Sequence, residues 1–517
     1  MKKPIIIHPY LLALYPILFL YSYNIHLLYP IVVVRPLLVT LLITLLLWAL
    51  VNLAVKNIAK SAALVSVFLL LFFSYKHYLL TLIGIFHKGF LTRDEFLFPI
   101  WLVMCSLIMF LIFKIKGDAK NLTLCLNITA ITLISFPAFS ITSYEMTKRY
   151  PFNHRSELIK SFTNNEENNI TASTKLGNKT PDIYYIIFDR YANSNILKEY
   201  FNYDNSDFIN FLRTKGFYVA TDSRANYPRT YLSVASSLNL DYLDLIKEKV
   251  GIHSNDETVV YDLLKDYKVW HFLKARGYQF IHLGGRWQPT KINSFANMNF
   301  NSFKIDDFTA KLLKNTLLLR IMDRYMDESQ RDHILYQFNQ LQELPKIKGP
   351  KFVFAHVLLP HEPFIFGPNG ENAKQGKYKK LSMQEKYLNQ LTFANKKIKT
   401  LADTLIAKSD TPPILLFQSD EGPYIHKDFK GDRGPQIYDW KGLSKDALRV
   451  HIMILNSYYL PGVDKSILYN SITPVNTFRV VFNSYFGTNY KLLKDESYIF
   501  EDSAHPYTFL NVTDVVK

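Results

Sequence analysis

The sequence predicts a two-part protein: an N-terminal five-helix membrane domain, then an α/β sandwich built on a central, mostly parallel sheet. Three observations predict it. Apolar residues are concentrated in the first 145 of the 517 positions. From Pro181 onward short apolar runs alternate with helical segments, the pattern of a sheet with helices on both faces. Two of those runs close on carboxylates, at Asp189 and at Asp420-Glu421, and the C-terminal ends of strands are where open α/β sheets carry their sites.

Residues 11–28, 36–55, 62–86, 96–113 and 122–141 each approach the roughly 20 apolar residues that a bilayer core requires. If all five span, Lys2 and Lys3, Lys56 and Lys60, and Lys114, Lys116 and Lys120 share one side, which the positive-inside rule makes cytoplasmic. The opposite loops carry Arg35 in one case, and in the other Lys88 and Arg93 offset by Asp94 and Glu95. An odd number of spans then exports everything after about Tyr144, to the periplasm or the exterior of a cell-membrane, multi-pass protein. The first apolar segment has no small-residue cleavage site and reads as a retained helix. Both cysteines, Cys105 and Cys125, fall in apolar stretches, so the exported part depends on its own core rather than on disulfides.

The formal net charge of +16 is spread over both parts, with +7 in residues 1–145 and +9 beyond them, and no basic run stands out. Diffuse positive charge suits attraction to membrane lipid and anionic envelope polymers, and serves equally as solubility charge. Nucleic acid is a poor partner for a domain facing outward. Oligomeric state has no signature in the sequence.

Residues 146–180 are polar, as in Asn164-Asn165-Glu166-Glu167-Asn168-Asn169, and read as a linker or juxtamembrane arm. Residues 181–517 form the exported domain. Strands are expected at 183–188, 280–283, 352–358, 414–417 and 450–455, and helices at 205–214, 258–276 and 383–407. Leu388, Leu391, Phe393 and Ile398 stand near helical spacing in the last. Gly284-Gly285 is the only adjacent glycine pair and matches no nucleotide fingerprint. The aromatic tail, residues 471–507, completes the domain.

Asp420-Glu421-Gly422-Pro423 ends the apolar run that begins at Pro413. Adjacent carboxylates at the mouth of a buried strand call for a positive partner, most simply a metal ion; the same four residues also make an ordinary solvated turn. Asp189 repeats the arrangement after Tyr184-Tyr185-Ile186-Ile187-Phe188, with a turn cap as its alternative role. Thr230, in Tyr227-Pro228-Arg229-Thr230-Tyr231, stands where a helix begins. Free amides and the positive end of the helix dipole suit a phosphate or sulfate there, and a hydroxyl beside a metal suits a nucleophile; plain N-capping is the simpler use of a threonine. His361, in Pro360-His361-Glu362-Pro363, is suited to binding charged oxygens or protonating a leaving group, or is a loop histidine between prolines. His356, inside the strand, reads as a satisfied core histidine, while His426 and His505 fall in loops that can approach the same edge. Arg190, Arg229 and Arg286 are candidate anion clamps, Arg229 the best of them because it adjoins Thr230.

Together these segments resemble the alkaline phosphatase superfamily, and most closely its membrane-anchored branch of lipoteichoic acid synthases, phosphoethanolamine transferases and sulfatase-like proteins. The resemblance spans nearly the whole chain. It rests on the five spans, on Pro181 to Asp189, on Arg229-Thr230-Tyr231 and on Ser419-Asp420-Glu421-Gly422. It implies a sulfatase-like α/β sandwich in which Asp189, Thr230, Asp420 and the residue after it hold one divalent metal ion, with Thr230 the covalent nucleophile. Glu421 departs from that pattern, where the family usually has histidine. An all-oxygen site shifts the expected ion from zinc towards manganese, magnesium or calcium. Thr230 stands where sulfatases carry the Cys or Ser converted to formylglycine, which favours phosphoryl transfer over sulfate ester hydrolysis. The implied function is a metal-dependent phosphoryl-group transferase acting on an anionic phospholipid or envelope glycan. The alternatives are a phosphodiesterase- or sulfatase-type hydrolase and a non-catalytic binding protein on the same fold.

Overall fold

The structure, a computed structural model, describes residues 5–86, 94–115, 119–163, 180–429 and 439–517. Lys2, Lys3, Lys88, Arg93, Lys116 and the run from Asn164 to Asn169 lie outside the described residues. The chain divides into two compact units, Met1–Arg149 with Ile305–Met326, and Tyr150–Lys304 with Asp327–Lys517.

The first unit contains α1 (His8–Tyr23), α2 (Val34–Val55), α3 (Ile58–Phe86), α4 (Asp94–Lys114) and α5 (Lys120–Thr147). Among the described residues, four stretches are long and apolar enough to cross a membrane, Pro30–Val55, Ile58–Ile85, Glu95–Lys114 and Lys120–Thr147, against the five expected. The difference is α1: its 16 residues rise about 24 Å, short of the roughly 30 Å hydrocarbon core. Its buried positions Leu12, Ala13, Ile17 and Tyr21 recur at helical spacing, and Ile17 and Tyr21 pack with Tyr144, Phe308 and Leu312. By contrast α2 exposes Leu38, Leu42, Leu46, Leu50 and Leu53. An apolar surface of that extent is compatible with lipid as its solvent, where exposed leucine carries no hydrophobic cost. Both cysteines are free.

In the second unit a seven-stranded sheet runs in the order β2-β7-β6-β1-β5-β3-β4. The strands are β1 (Ile183–Phe188), β2 (Tyr218–Val219), β3 (Gln279–Leu283), β4 (Met298–Phe300), β5 (Lys351–Val357), β6 (Ile414–Gln418) and β7 (Asn456–Tyr459). β6, β1, β5, β3 and β4 are mutually parallel, and β7 and β2 join antiparallel at one edge. All six residues of β1 are buried, as expected of a parallel strand covered on both faces. One face, carrying Tyr184, Ile186, Phe188, Val353, Ala355 and Phe417, packs on Tyr387, Leu391, Ala394 and Ile398 of the helix Met383–Lys408. The other face meets the helix Thr477–Phe486, where the Phe478 ring lies edge-on to Tyr185 and Phe352.

Two expectations differ from what is observed. The run 450–455 is not a strand: Ser444 caps the helix Lys445–Ile452 by accepting from the Ala447 amide, and pairing with β6 begins at Asn456. Short apolar runs carry no period long enough to separate helix from strand. The expected helix 258–276 is broken into Thr258–Leu263 and Lys268–Lys274, and the Asn239 side chain accepts from the Lys268 amide at the restart.

Within the polar segment read as a linker, α6 (Phe152–Thr163) is helical and buries Leu158 and Phe162. It also buries Arg155, whose guanidinium donates to Asp256 at 2.9 Å, Asp262 at 2.8 Å and Thr258 at 2.8 Å. Breaking a buried pair of this kind strands a charge and costs about 3–5 kcal/mol, so the contact anchors α6 firmly on the second unit.

Candidate active site

The strand register determines which side chains meet. Ile187 pairs with His356 on β5 and with Gln418 on β6. Side chains two apart along a strand share a face. Asp189, His356 and Asp420 therefore all project from the face that carries Tyr185 and Phe352. A donor atom from each lies within 4.8 Å of the other two. Among the described residues this is the one group of three or more histidine, cysteine and acidic side chains arranged closely enough to hold a metal ion.

The backbone around this group is tightly tied. The Asp189 amide donates to the Val357 carbonyl at 3.0 Å, and the His361 amide returns to the Asp189 carbonyl at 3.1 Å. The Ser419 hydroxyl donates to the Glu421 carbonyl at 2.7 Å and accepts from the Tyr191 amide at 2.9 Å. Gly422 donates to the His451 carbonyl at 2.6 Å, and a Cβ at residue 422 would stand 2.3 Å from the Val450 carbonyl oxygen. Only glycine permits that approach, and it holds the Asp420-Glu421 turn against residues 450–451. The His451 ring in turn donates from Nε2 to the Pro228 carbonyl at 3.0 Å, linking the turn to the loop that carries Arg229 and Thr230.

Thr230 is the first residue of the helix Thr230–Asn239, and the N-cap position belongs to Arg229, with extended backbone and no side-chain cap. The threonine hydroxyl is thus not engaged as a cap. It lies close enough to Asp420 to favour that carboxylate's charged form. Arg229 is half-buried, its guanidinium 6.0 Å from the Tyr424 ring centre and 5.9 Å from that of Trp440. His361 is also half-buried, with Nε2 4.0 Å from Asp189 Oδ2. Arg190, in left-handed backbone at φ 64°, is buried and pairs with Glu362 and, at 3.2 Å, with Glu421 Oε1. Glu421 Oε2 is 3.9 Å from His451 Nε2. His426 faces Asp428, and His505 bonds to Asp502 at 2.9 Å.

His356 is the residue that a core reading undervalues. It is buried in β5, with Nε2 3.2 Å from Asp189 Oδ2 and Nδ1 3.0 Å from Thr290 Oγ1. The signal was the register between β1 and β5, which no local pattern carries.

Charge in this pocket is unbalanced. Asp189 Oδ1, both Asp420 carboxylate oxygens and Glu421 Oε2 are buried without a hydrogen bond of good geometry from the protein. Buried carboxylates without donors are costly. Burial would raise the Asp189 pKa, but His361, then His356 and Arg190, outweigh it and hold the carboxyl below the ordinary range. For Asp420, burial and then the Asp189 charge push the pKa up to about 7. Burial likewise raises Glu421 well above the ordinary value, against the pull of Arg190. The Asp189 and Asp420 carboxylates, close together and with vacant lone pairs, fit a divalent cation.

A pH dependence follows. Between the ordinary aspartate pKa of about 4 and about 7, folded Asp420 binds a proton that the unfolded chain releases. The metal-free fold therefore loses stability as pH rises through that window; the depressed pKa of Asp189 acts with opposite sign only below about pH 4. Because a cation displaces the Asp420 proton, the rise in melting temperature on adding manganese should grow from pH 6 to pH 8. A thermal-shift series showing a gain independent of pH would contradict this charge assignment.

Comparison with known proteins adds the following. A family model described as Sulfatase matches residues 201–462, a span that includes Thr230, His361, Asp420 and Glu421 and begins after Asp189. No curated protein matches. Among solved structures, the chain is similar to the C-terminal periplasmic domain of EcEptC from Escherichia coli, at 12% identity and a TM-score of 0.45, covering 66% of this chain and 95% of that one. The C-terminal periplasmic domain of the phosphoethanolamine transferase EptC from Campylobacter jejuni matches at 9% identity and 0.38, covering 59% and 89%. The integral membrane protein lipooligosaccharide phosphoethanolamine transferase A (EptA) from Neisseria meningitidis matches at 12% identity and 0.38, covering 92% and 95%.

Proposed function

We propose, from the premise that this chain belongs to the sulfatase family, that it transfers a phosphoryl-type group between lipid-linked or envelope substrates through a covalent ester on Thr230. The observation that carries this reading is the Thr230 hydroxyl at a helix N-terminus, not engaged as a cap and beside the buried Asp189–Asp420 pair.

In the first step Thr230 Oγ attacks the phosphorus, the bond to the leaving alcohol breaks, and the proton lost by Thr230 passes to that alcohol. In the second, an acceptor hydroxyl attacks the phosphothreonine, frees Thr230 and loses its own proton. His361 is suited to exchanging these protons: burial and then Arg190 hold its pKa below the ordinary value, so the ring is neutral at pH 7. Arg229 adjoins the attacking oxygen, and the first amides of the helix face the transferred group, so both meet charge that develops there. Asp189, Thr230 and Asp420 would hold a divalent cation, with Glu421 beside them on Arg190, and the ion when bound supplies the positive charge that eases loss of the threonine proton. Arg190 is already engaged by Glu362 and Glu421.

The reading takes residues 1–145 as a membrane domain, 146–180 as a juxtamembrane arm and 181–517 as an exported catalytic domain. Export does not depend on α1. Lys56 follows α2 and Lys60 lies in the first turn of α3, while Lys114 ends α4 and Lys120 begins α5. With both of these connections cytoplasmic, α5 ends outside whether or not α1 spans. The apolar helices of the same chain support a lipid-linked donor.

The test is the fate of the group. The full chain in phospholipid vesicles with manganese should pass headgroup phosphate to an added alcohol, the ester growing at the expense of free headgroup phosphate as alcohol is raised. Release that ignores the alcohol would make the protein a hydrolase. No release under any divalent ion would leave the binding reading.

A further inference from the structure

We infer that His356 supplies a nitrogen ligand to the metal site, so that the site is not all oxygen. The inference rests on the reading of Asp189 and Asp420 as metal ligands and names a further residue of that site.

Three observations converge on the ring. First, register and side-chain parity bring it to the same face as the two carboxylates, and a ring nitrogen lies within 4.8 Å of a carboxylate oxygen of each. Second, its other nitrogen is held: Nδ1 lies 3.0 Å from Thr290 Oγ1, and both groups are buried. That contact is built into the backbone. A Cβ at Gly284 would stand 2.0 Å from the Thr290 carbonyl oxygen, so glycine there lets the segment carrying Thr290 close on the end of β3. With Nδ1–H donating to the hydroxyl, the Nε2 lone pair is directed at Asp189 Oδ2. Metal-bound histidines are oriented in this way, by a hydrogen bond from the second ring nitrogen. Third, the spacing is that of two ligands. Nε2 and Asp189 Oδ2 are 3.2 Å apart, against about 3.3 Å for two donors each about 2.0–2.1 Å from a tetrahedral ion.

A plain histidine–aspartate hydrogen bond accounts for the 3.2 Å contact alone. It leaves both oxygens of Asp420, 1% exposed, without a protein hydrogen bond of good geometry. A cation shared by Asp189, His356 and Asp420 accounts for all of them. One imidazole among carboxylates also moves the preferred ion away from magnesium and calcium and towards zinc. Glu421, with Oε1 on Arg190, then serves to balance that arginine beside the site.

The experiment uses the full chain in detergent, stripped by chelator and reloaded with zinc alone, and reads zinc affinity by competition and the ligand set by X-ray absorption at the zinc edge. The parent should bind one zinc per chain at this site with an imidazole signature. His356→Gln should lose that signature and weaken zinc at least ten-fold, whereas His361→Gln and Glu421→Gln should keep the signature. Thr290→Val, which leaves the ligand in place, should retain the imidazole and weaken zinc about ten-fold through loss of ring orientation. An imidazole signature that survives His356→Gln, or that disappears in His361→Gln instead, overturns the assignment. So does a Thr290→Val chain that binds zinc as tightly as the parent. A parent chain that takes up no zinc or manganese would overturn this inference and the enzymatic reading together.

Discussion

Thr230→Ala should reduce group transfer by a factor on the order of 10³ or more, the scale seen when a covalent nucleophile is removed, while leaving thermal unfolding nearly unchanged. Both halves follow from position. Thr230 opens the helix Thr230–Asn239, but Arg229 holds the N-cap place, so the substitution forfeits no capping bond of the kind worth about 1 kcal/mol. Alanine is also the best helix former. The chemistry, by contrast, has no second hydroxyl in an equivalent position at the head of that helix. Intact-mass measurement after incubation with manganese and mixed phospholipids gives the direct reading: an adduct on the parent, none on the variant, with the added mass naming the transferred group. Thr230→Ser should retain part of the activity. A folded Thr230→Ala chain with full turnover would remove Thr230 from the reaction.

Asp420→Asn should weaken divalent metal binding at least a hundred-fold, a loss beyond the 10- to 100-fold expected of an outer-shell partner, and transfer should fall with it. The carboxylate is 1% exposed, its oxygens have no protein hydrogen bond of good geometry, and the Asp189 charge stands against it. The same arrangement predicts that the metal-free variant is at least as stable as the metal-free parent at pH 8, because the amide carries no charge to repel Asp189. Calorimetric titration with manganese and zinc, with melting curves recorded with and without metal, separates the effects. Unchanged metal affinity would place the ion elsewhere. A collapse of the metal-free fold would mean that Asp420 serves structure rather than binding.

Several of these elements were legible in the sequence for identifiable reasons. β1 and β6 are buried on both faces, so they appear as unbroken apolar runs at 183–188 and 414–417. Their terminal carboxylates stand out because charge following such a run is costly. The run at 450–455 misled because six apolar-rich residues fit the end of a capped helix as well as a strand, and α1 misled because apolar composition was visible while its length was not. Arg155 lay inside a polar segment whose composition concealed its buried partners, Asp256 and Asp262, about a hundred positions away.

By itself the sequence determined the apolar helices, the alternation that yields an α/β sheet, and the identities of Asp189, Thr230, His361, Asp420 and Glu421 as residues to examine. Each of these depends on local composition and period, which the order of residues carries directly. Only the tertiary structure decided which of them meet: that β1 lies between β5 and β6, that Glu421 leans on Arg190, and that His356 comes to the carboxylates with Thr290 behind it. The reason is that a strand's own alternation states only which residues share its face, whereas the partner strand and register that bring two faces together arise from packing over a hundred or more intervening residues.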